Sequence, residues 1–215
     1  MGLTLYYAPG ACSLAPHVAL EAAGAAFDTV RLNLAEGDQR QPGYLALNPK
    51  GRVPTLLVDG RPLTEVIAIL TYIDRRFPAA GIFPGHDPLL LARAYEAASF
   101  IASTVHVAFA QISRPERYAD DPVVKEALAD PGRQRFIRAL DVLEAIARAP
   151  DAWLVGDAFT AVDAYALVVR RWAERIGLDL SRYPAWTAKG DRALEHPAVE
   201  RALARESASQ AAAAA

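Results

Sequence analysis

The stretch LTLYYAPGACSL, residues 3–14, sets the order of the first secondary-structure elements. Its first five residues are apolar or aromatic apart from one threonine, which is typical of a β-strand. The segment Ala8–Ala11 contains a proline and a glycine and breaks that strand. From Ser13 onward, apolar residues recur at helical spacing as far as Gly24. The stretch therefore predicts a strand over 3–7 that leads directly into a helix over 13–23.

Strand and helix patterns alternate as far as residue 80. The next predicted elements are a strand over 27–34, a short irregular segment over 42–47, a hairpin of strands over 53–58 and 61–63, and a helix from Thr64 to near Phe77. The Asp59-Gly60 pair supplies the hairpin turn. A βαβ unit implies parallel strands with a right-handed crossover, whereas a hairpin adds antiparallel strands. The order βαβ-ββα therefore predicts an α/β domain with a mixed sheet over residues 1–80.

A linker rich in proline and glycine over 79–87 ends this first domain. Beyond it the periodicity predicts helices over 89–112, 122–129, 132–147, 160–176, 184–194 and 197–204. The Asp130-Pro131-Gly132 tripeptide is predicted to separate the second of these from the third. We therefore predict an all-helical domain over 88–206 and an alanine-rich tail over 207–215 that is expected to fray. A cleft at the junction of the two domains is a common place for a ligand site.

The composition argues against several classes of protein. The chain has 215 residues, 53% of them apolar, and a formal net charge of −2. Such a weak charge offers no field that would attract nucleic acid or an anionic membrane, and no apolar run is long enough to cross a membrane. The single cysteine cannot form an internal disulfide, which fits a reducing compartment. Because no secretory pattern precedes the first strand, we expect a cytoplasmic protein.

Cys12 lies where the first strand leads into the first helix. A thiol at a helix N-terminus is close to unpaired N–H groups and to the positive end of the helix dipole, which favour the thiolate and lower the thiol pKa. Cys12 is therefore a candidate for thiol chemistry, although a lone cysteine also serves as a small buried filler. Tyr7 ends the strand beside it, either as a hydroxyl donor or as a half-buried strand residue.

The segment NPKGRVP, residues 48–54, places a proline at the start of a strand. A cis Val53-Pro54 peptide there would leave the backbone N–H and C=O of Val53 pointing out of the sheet, where they can pair with an extended peptide. An ordinary trans proline is the alternative.

Glu65 and Val66 follow at a predicted helix start. The helix N–H groups can hold a ligand carboxylate, and the side chain of Glu65 can hold a ligand ammonium. Together they would recognise the zwitterionic end of an amino acid. The alternative is that Glu65 only complements the helix dipole.

His106 lies off the apolar stripe of the predicted helix over 89–112, among small residues. It is either a histidine that faces the cleft or an ordinary surface histidine. No histidine has a carboxylate cluster at metal-ligand spacing, and the chain has no glycine-rich phosphate loop. The sequence therefore predicts neither a metal site nor a nucleotide phosphate site.

Taken together, these segments resemble the bacterial cytosolic glutathione S-transferases, most closely the beta class. The resemblance covers about residues 2–206 and rests on YAPGACSL at 7–14, NPKGRVP at 48–54, TEV at 64–66, His106 and FTAVDAY at 159–165. Each motif is weak alone, but their order and spacing are specific together. The resemblance implies a thioredoxin-like domain followed by a helical domain, with glutathione as co-substrate between them. It also implies a small electrophile as the second substrate and a homodimer.

The resemblance implies a role for each candidate residue. Cys12 would lie next to the glutathione sulfur, where it could form a mixed disulfide, and His106 would reach the same region from the helical domain. Ser13 and Tyr7 would line that end of the site. Val53 would bind the cysteinyl part of glutathione through its backbone, next to the cis-proline Pro54. Glu65 and Val66 would bind the γ-glutamyl end. Some relatives direct a lysine at the glycyl carboxylate, and Arg52 or Arg40 would take its place here.

The implied activity is attack of an activated glutathione thiol on a small electrophile. Two alternatives stay open. Cys12 could act covalently in a thiol–disulfide oxidoreductase or a reductive dehalogenase, or the fold could carry a non-catalytic binding or regulatory protein. Ser99 and Thr104 stand where beta-class relatives can supply an asparagine and an acid from the partner subunit. The expected contact between glutathione and the partner subunit is therefore in question.

Overall fold

The computed structural model describes residues 2–85 and 87–214, without the side chains of 212–214. The first part of the chain forms a four-stranded sheet of β1 (Leu3–Tyr7), β2 (Asp28–Arg31), β3 (Thr55–Val58) and β4 (Arg61–Thr64). The strand order is β2-β1-β3-β4. β1 pairs parallel with β2 and antiparallel with β3, and β4 closes the hairpin. This mixed sheet confirms the predicted fold class.

Three helices accompany the sheet and six follow it. They are α1 (Leu14–Ala22), α2 (Pro42–Leu47), α3 (Val66–Arg76), α4 (Pro88–Phe100), α5 (His106–Ser113), α6 (Pro122–Ala147), α7 (Ala161–Arg175), α8 (Pro184–Leu194) and α9 (Pro197–Ala214). Asp59 and Gly60 both have positive φ, as the tight hairpin turn between β3 and β4 requires. The predicted hairpin is thus confirmed.

Two boundaries in the first domain differ from the prediction. The segment over 42–47 is a helix rather than irregular, and it begins at a proline, which suits a first helical position. Thr64 ends β4 instead of capping α3. The N-cap is Glu65, whose φ of 74° is uncommon for a residue with a side chain. The turn from β4 into α3 therefore presents Glu65 in a backbone conformation that the pattern did not indicate.

The helical domain departs from the prediction at Pro131. Residues 130–132 do not interrupt α6, which runs through them. Gly132 lies against α5 so closely that a Cβ there would be 2.9 Å from the Cβ of Gln111. Packing of α6 against α5 therefore outweighs the helix-breaking tendency of the proline.

Helices α4 and α5 are joined by a π-helical turn over Ile101–Val105, where one continuous helix was predicted. Such turns are rare and often lie beside functional sites. This one comes directly before His106.

The C-terminal segment is helical, since α9 continues to Ala214; Ala215 lies outside the described residues, and fraying of this segment stays a prediction. Glu206 is buried and accepts hydrogen bonds from Gly10 N–H at 3.2 Å and from Arg171 at 3.4 Å. Ser209 accepts a hydrogen bond of 2.7 Å from the hydroxyl of Tyr7. These polar contacts hold α9 to the first domain, although this part of the helix has no apolar pattern.

Helix α7 forms the centre of the helical domain. Its N-terminus carries the predicted capping box, in which Thr160 and Asp163 bond each other's backbone N–H groups. Near its other end, Trp172 Nε1 donates to the carbonyl of Gly10 at 3.1 Å. Gly10 has positive φ, and a Cβ at this position would collide with Arg175. The loop before Cys12 is therefore fixed by contacts from the helical domain.

Candidate active site

A cleft of about 620 Å³ lies between the sheet domain and the helical domain. One wall comes from the loop after β1, the segment before β3 and the start of α3. The other comes from α5, the turn that follows it and α7. Of the predicted site residues, those that line the cleft are Cys12, Arg52, Val53, Pro54, Glu65, Val66 and His106.

The side chain of Cys12 is almost entirely buried, with 5% of the residue exposed. Its Sγ donates to the carbonyl of Val53 at 3.4 Å. Burial raises the pKa of the thiol to about 12, and the positive charge of Arg117 opposes this only in part. The expectation of a lowered pKa was therefore wrong for this state of the protein, because loss of water outweighs the helix N-terminus. At neutral pH the thiol is protonated.

The peptide bond between Val53 and Pro54 is cis, as predicted. In the part of the chain that the structure describes, the N–H of Val53 donates to no backbone or side-chain acceptor. The preceding loop is held by the carbonyl of Arg52, which accepts from Tyr44 at 2.6 Å and from Asn48 at 2.7 Å. This loop therefore presents an unpaired backbone donor to the cleft.

The carboxylate of Glu65 lies at the N-terminus of α3 with 67% of the side chain exposed. Its Oε1 accepts from Lys50 Nζ at 2.6 Å, and the same ammonium donates to Thr64 at 2.5 Å. Glu65 therefore already holds an ammonium group in this structure. Recognition of a ligand ammonium by Glu65 stays a prediction.

His106 enters the cleft from the helical wall. Its ring lies 4.7 Å from the ring of Trp172, and its Nδ1 lies 3.3 Å from the hydroxyl of Tyr165. Burial raises the pKa of Tyr165 and lowers that of His106 to about 4, so both are neutral at pH 7. This hydrogen bond can form with either atom as the donor. Where the Tyr165 hydroxyl donates to Nδ1, the proton of the neutral imidazole is on Nε2.

Tyr7 and Ser13 do not line the cleft, contrary to expectation. Both are buried. The hydroxyl of Ser13 bonds the backbone N–H and carbonyl of Ala8, at 3.1 and 3.2 Å, and that of Tyr7 donates to Ser209. Their contacts fix the loop before Cys12 and the C-terminal helix, which assigns them a structural role.

Several residues of the cleft were missed by the sequence analysis. They are Lys50, Arg114, Arg117, Tyr165, Trp172, Arg175 and Gln210. Lys50 lies within the NPKGRVP segment, so this motif could have indicated it. The others lie on helices or turns whose position in the fold brings them to the cleft. Arg40 lines a smaller pocket of about 270 Å³ beside it and lies 3.8 Å from Glu116.

Comparison with known proteins agrees with this geometry. The family model of the glutathione S-transferase N-terminal domain matches residues 1–75, and that of the C-terminal domain matches residues 110–196. The glutathione S-transferase GstA of Escherichia coli O157:H7 is 32% identical over 210 residues, which are 95% of this chain and 98% of GstA. The chain belongs to the glutathione S-transferase family.

Solved structures extend this likeness. A glutathione transferase homologue from Sulfitobacter with bound glutathione is 36% identical, with a TM-score of 0.87 over 93% of this chain and 96% of the other. A beta-class transferase from Sphingomonas chungbukensis is 35% identical, with a TM-score of 0.80 over 94% and 98%. The predicted family and class are thus confirmed, and the chain is an enzyme of the glutathione transferase family.

The relatives of this chain differ in their named activities. A maleylacetoacetate isomerase from Pseudomonas aeruginosa is 31% identical over 209 residues, which are 94% of this chain and 95% of the isomerase. Membership of the family therefore leaves the reaction to be argued from the site. Among residues 2–85 and 87–214, no helix could span a membrane and no three metal-ligating side chains are grouped to hold an ion.

Proposed function

We propose that this protein is a transferase that binds glutathione in the cleft and directs its thiolate at a small electrophile. One observation carries the proposal. The two walls of a single cleft bring together the unpaired N–H of Val53, the carboxylate of Glu65 and the neutral imidazole of His106. Each suits one part of glutathione: the cysteinyl backbone, the γ-glutamyl ammonium and the thiol.

These residues would act through binding and orientation. Val53 pairs with the extended tripeptide, while the α3 N-terminus at Val66 receives the γ-glutamyl carboxylate. Arg52 is our candidate for the glycyl carboxylate. The Nε2–H of His106 donates to the glutathione sulfur and favours the thiolate, which is the nucleophilic form. The thiolate then attacks the electrophile against the helical wall.

The buried thiol of Cys12 argues against the alternative of covalent catalysis. A thiol with a pKa near 12 is a poor nucleophile at neutral pH, and the hydrogen bond to Val53 engages it further. We therefore propose that Cys12 packs beside the glutathione sulfur and does not carry the reaction. We also propose that the enzyme works in the cytoplasm in detoxification, where a free cysteine stays reduced.

Replacement of Glu65 by alanine should weaken glutathione binding about tenfold. The variant loses a charge-assisted hydrogen bond to the γ-glutamyl ammonium, and the exposure of Glu65 keeps the loss at the lower end of the range for such bonds. In the wild type the γ-glutamyl ammonium must displace Lys50 from the Glu65 carboxylate or bind this carboxylate beside Lys50. Isothermal titration calorimetry with glutathione measures the change.

The matched control is Glu126→Ala, which removes an exposed carboxylate on α6 away from the cleft. It should leave the dissociation constant unchanged. Equal affinities for Glu65→Ala and the wild type would remove Glu65 from the binding site. The overall proposal is tested by turnover of glutathione with aryl halides, epoxides, peroxides and mixed disulfides, and absence of any conjugation in this panel would contradict it.

We further propose that the enzyme is a homodimer. Large apolar side chains remain exposed on the helical domain, such as Leu89 with 63% and Val123 with 74% of the residue accessible. Light scattering at micromolar concentration should give about twice the chain mass of 23.1 kDa. A monomer of full activity would contradict the dimer.

A further inference from the structure

The cleft carries a strong excess of positive charge. Within the described part of the chain, its lining holds one carboxylate, that of Glu65, and six basic side chains: Arg31, Lys50, Arg52, Arg114, Arg117 and Arg175. The chain as a whole has a net charge of −2. The excess is therefore local to the cleft and opposite in sign to the protein.

Glutathione accounts for only part of this excess. Lys50 is paired with Glu65, and Arg175 donates to the carbonyl of Gly10 at 3.3 Å. Glutathione brings two carboxylates and one ammonium, and the proposed function places these at α3, Arg52 and Glu65. Arg31, Arg114 and Arg117 are left without an anion, and of these Arg114 and Arg117 lie on the opposite wall.

Arg114 and Arg117 flank the short turn that follows α5. Neither side chain makes a hydrogen bond or an ion pair to any residue in the described ranges, and both line the cleft. The positive charges of Arg114 and Arg117 repel each other. The pKa of Arg117 is lowered first by removal from water and then by repulsion from Arg52 and Arg114. The carboxylate of Glu116, in the same turn, opposes this shift but lies 3.8 Å from Arg40. Two guanidinium groups on one wall of the cleft, neither of them in an ion pair within the described ranges, can bind an anion.

The position of Arg117 relates this site to the reacting sulfur. After burial itself, the charge of Arg117 has the largest effect on the pKa of Cys12 and of His106, ahead of that of Arg52. Arg117 and His106 both line the helical wall of the cleft, so an anion held by Arg117 lies on the same wall as the imidazole proposed to meet the thiol.

We propose that Arg114 and Arg117 form a binding site for a carboxylate on the second substrate, so that the preferred electrophiles are small organic anions. This inference rests on the proposed function and names the substrate class for that site. The planar guanidinium groups would hold the carboxylate through paired N–H donors and leave the electrophilic carbon facing the sulfur.

A matched pair of aryl halides tests the proposal: 4-chloro-3,5-dinitrobenzoate and 4-chloro-3,5-dinitrobenzamide. In both, the glutathione sulfur forms a bond to the ring carbon, chloride leaves with the bonding electrons, and the thiol proton passes to solvent. The two differ in one negative charge. We expect the wild type to favour the carboxylate at least tenfold in kcat/KM, after each value is divided by its uncatalysed rate.

Arg114→Gln and Arg117→Gln should each lower that preference about tenfold, because the kcat/KM for the carboxylate should fall about tenfold more than the kcat/KM for the amide. Arg138→Gln, an exposed arginine of α6 outside the cleft, is the control and should keep the wild-type preference. An equal loss for both substrates would show that the arginines support the thiolate instead, and a wild type that prefers the amide would also overturn the proposal. If the enzyme turned over neither substrate, the transferase function itself would be contradicted.

Discussion

Replacement of His106 by alanine should lower kcat for aryl-halide conjugation by about ten- to a hundredfold. The variant loses the Nε2–H donor that the neutral imidazole offers to the glutathione thiolate. A hydrogen bond to a charged group contributes roughly 1.5–3 kcal/mol, which corresponds to about that change in rate. Because the pKa of His106 is about 4, the imidazole stays neutral between pH 6 and pH 8, and the loss in kcat should shrink across that range as rising pH ionises the bound glutathione thiol in the variant as well. Steady-state kinetics at saturating glutathione across that range measures it.

Two further variants separate the roles of the site residues. His106→Gln keeps an N–H donor and should recover part of the lost rate. Cys12→Ala should retain most of the conjugation activity, because the buried, protonated thiol of Cys12 is a poor nucleophile at neutral pH. If Cys12→Ala abolished conjugation while the fold and glutathione binding survived, covalent catalysis by Cys12 would replace the proposed mechanism.

Local patterns predicted well those features of both domains that are decided by neighbouring residues. The Asp59-Gly60 turn, the strand β1 and the capping box at Thr160 follow from backbone preferences within a few positions. Such features need no knowledge of distant contacts. For Pro54 the strand-start position left cis and trans open, and the family resemblance implied the cis peptide that the structure has.

The properties that were missed depend on contacts between domains. The pKa of Cys12 is set by how completely the cleft walls exclude water, which a helix start in the sequence does not reveal. Arg114 and Arg117 looked like ordinary charged residues of a turn, and only the fold brings them to the cleft. The C-terminal helix likewise persists because Glu206 and Ser209 find partners in the first domain. Sequence periodicity indicates which face of a helix is apolar, but it does not indicate which other element that face packs against.

The protein should lose roughly 2 to 3 kcal/mol of stability on acidification because of His17 alone. This residue of α1 is completely buried, between the rings of Tyr7 at 5.4 Å and Phe27 at 5.6 Å, and neither of its ring nitrogens has a partner among the described residues. Burial lowers its pKa from 6.5 to about 4, with Arg205 adding to the shift and Glu21 opposing it.

The sign follows from proton binding. Because the folded pKa of His17 lies below the unfolded value, the unfolded chain binds more protons between pH 6.5 and pH 4. The contribution to stability is therefore complete above pH 6.5 and is lost as the pH falls through this range.

Urea unfolding of the wild type and of His17→Leu at pH 7.5 and pH 4.5 isolates the effect, since the other groups titrate in both proteins. Between pH 7.5 and pH 4.5 the free energy of unfolding should fall by roughly 2 to 3 kcal/mol less in the variant than in the wild type. Because only the change with pH is compared, a packing defect of the leucine at pH 7.5 does not affect the outcome. Parallel losses in the two proteins would assign the acid sensitivity to other groups, of which His106, with the same lowered pKa, is the first to replace.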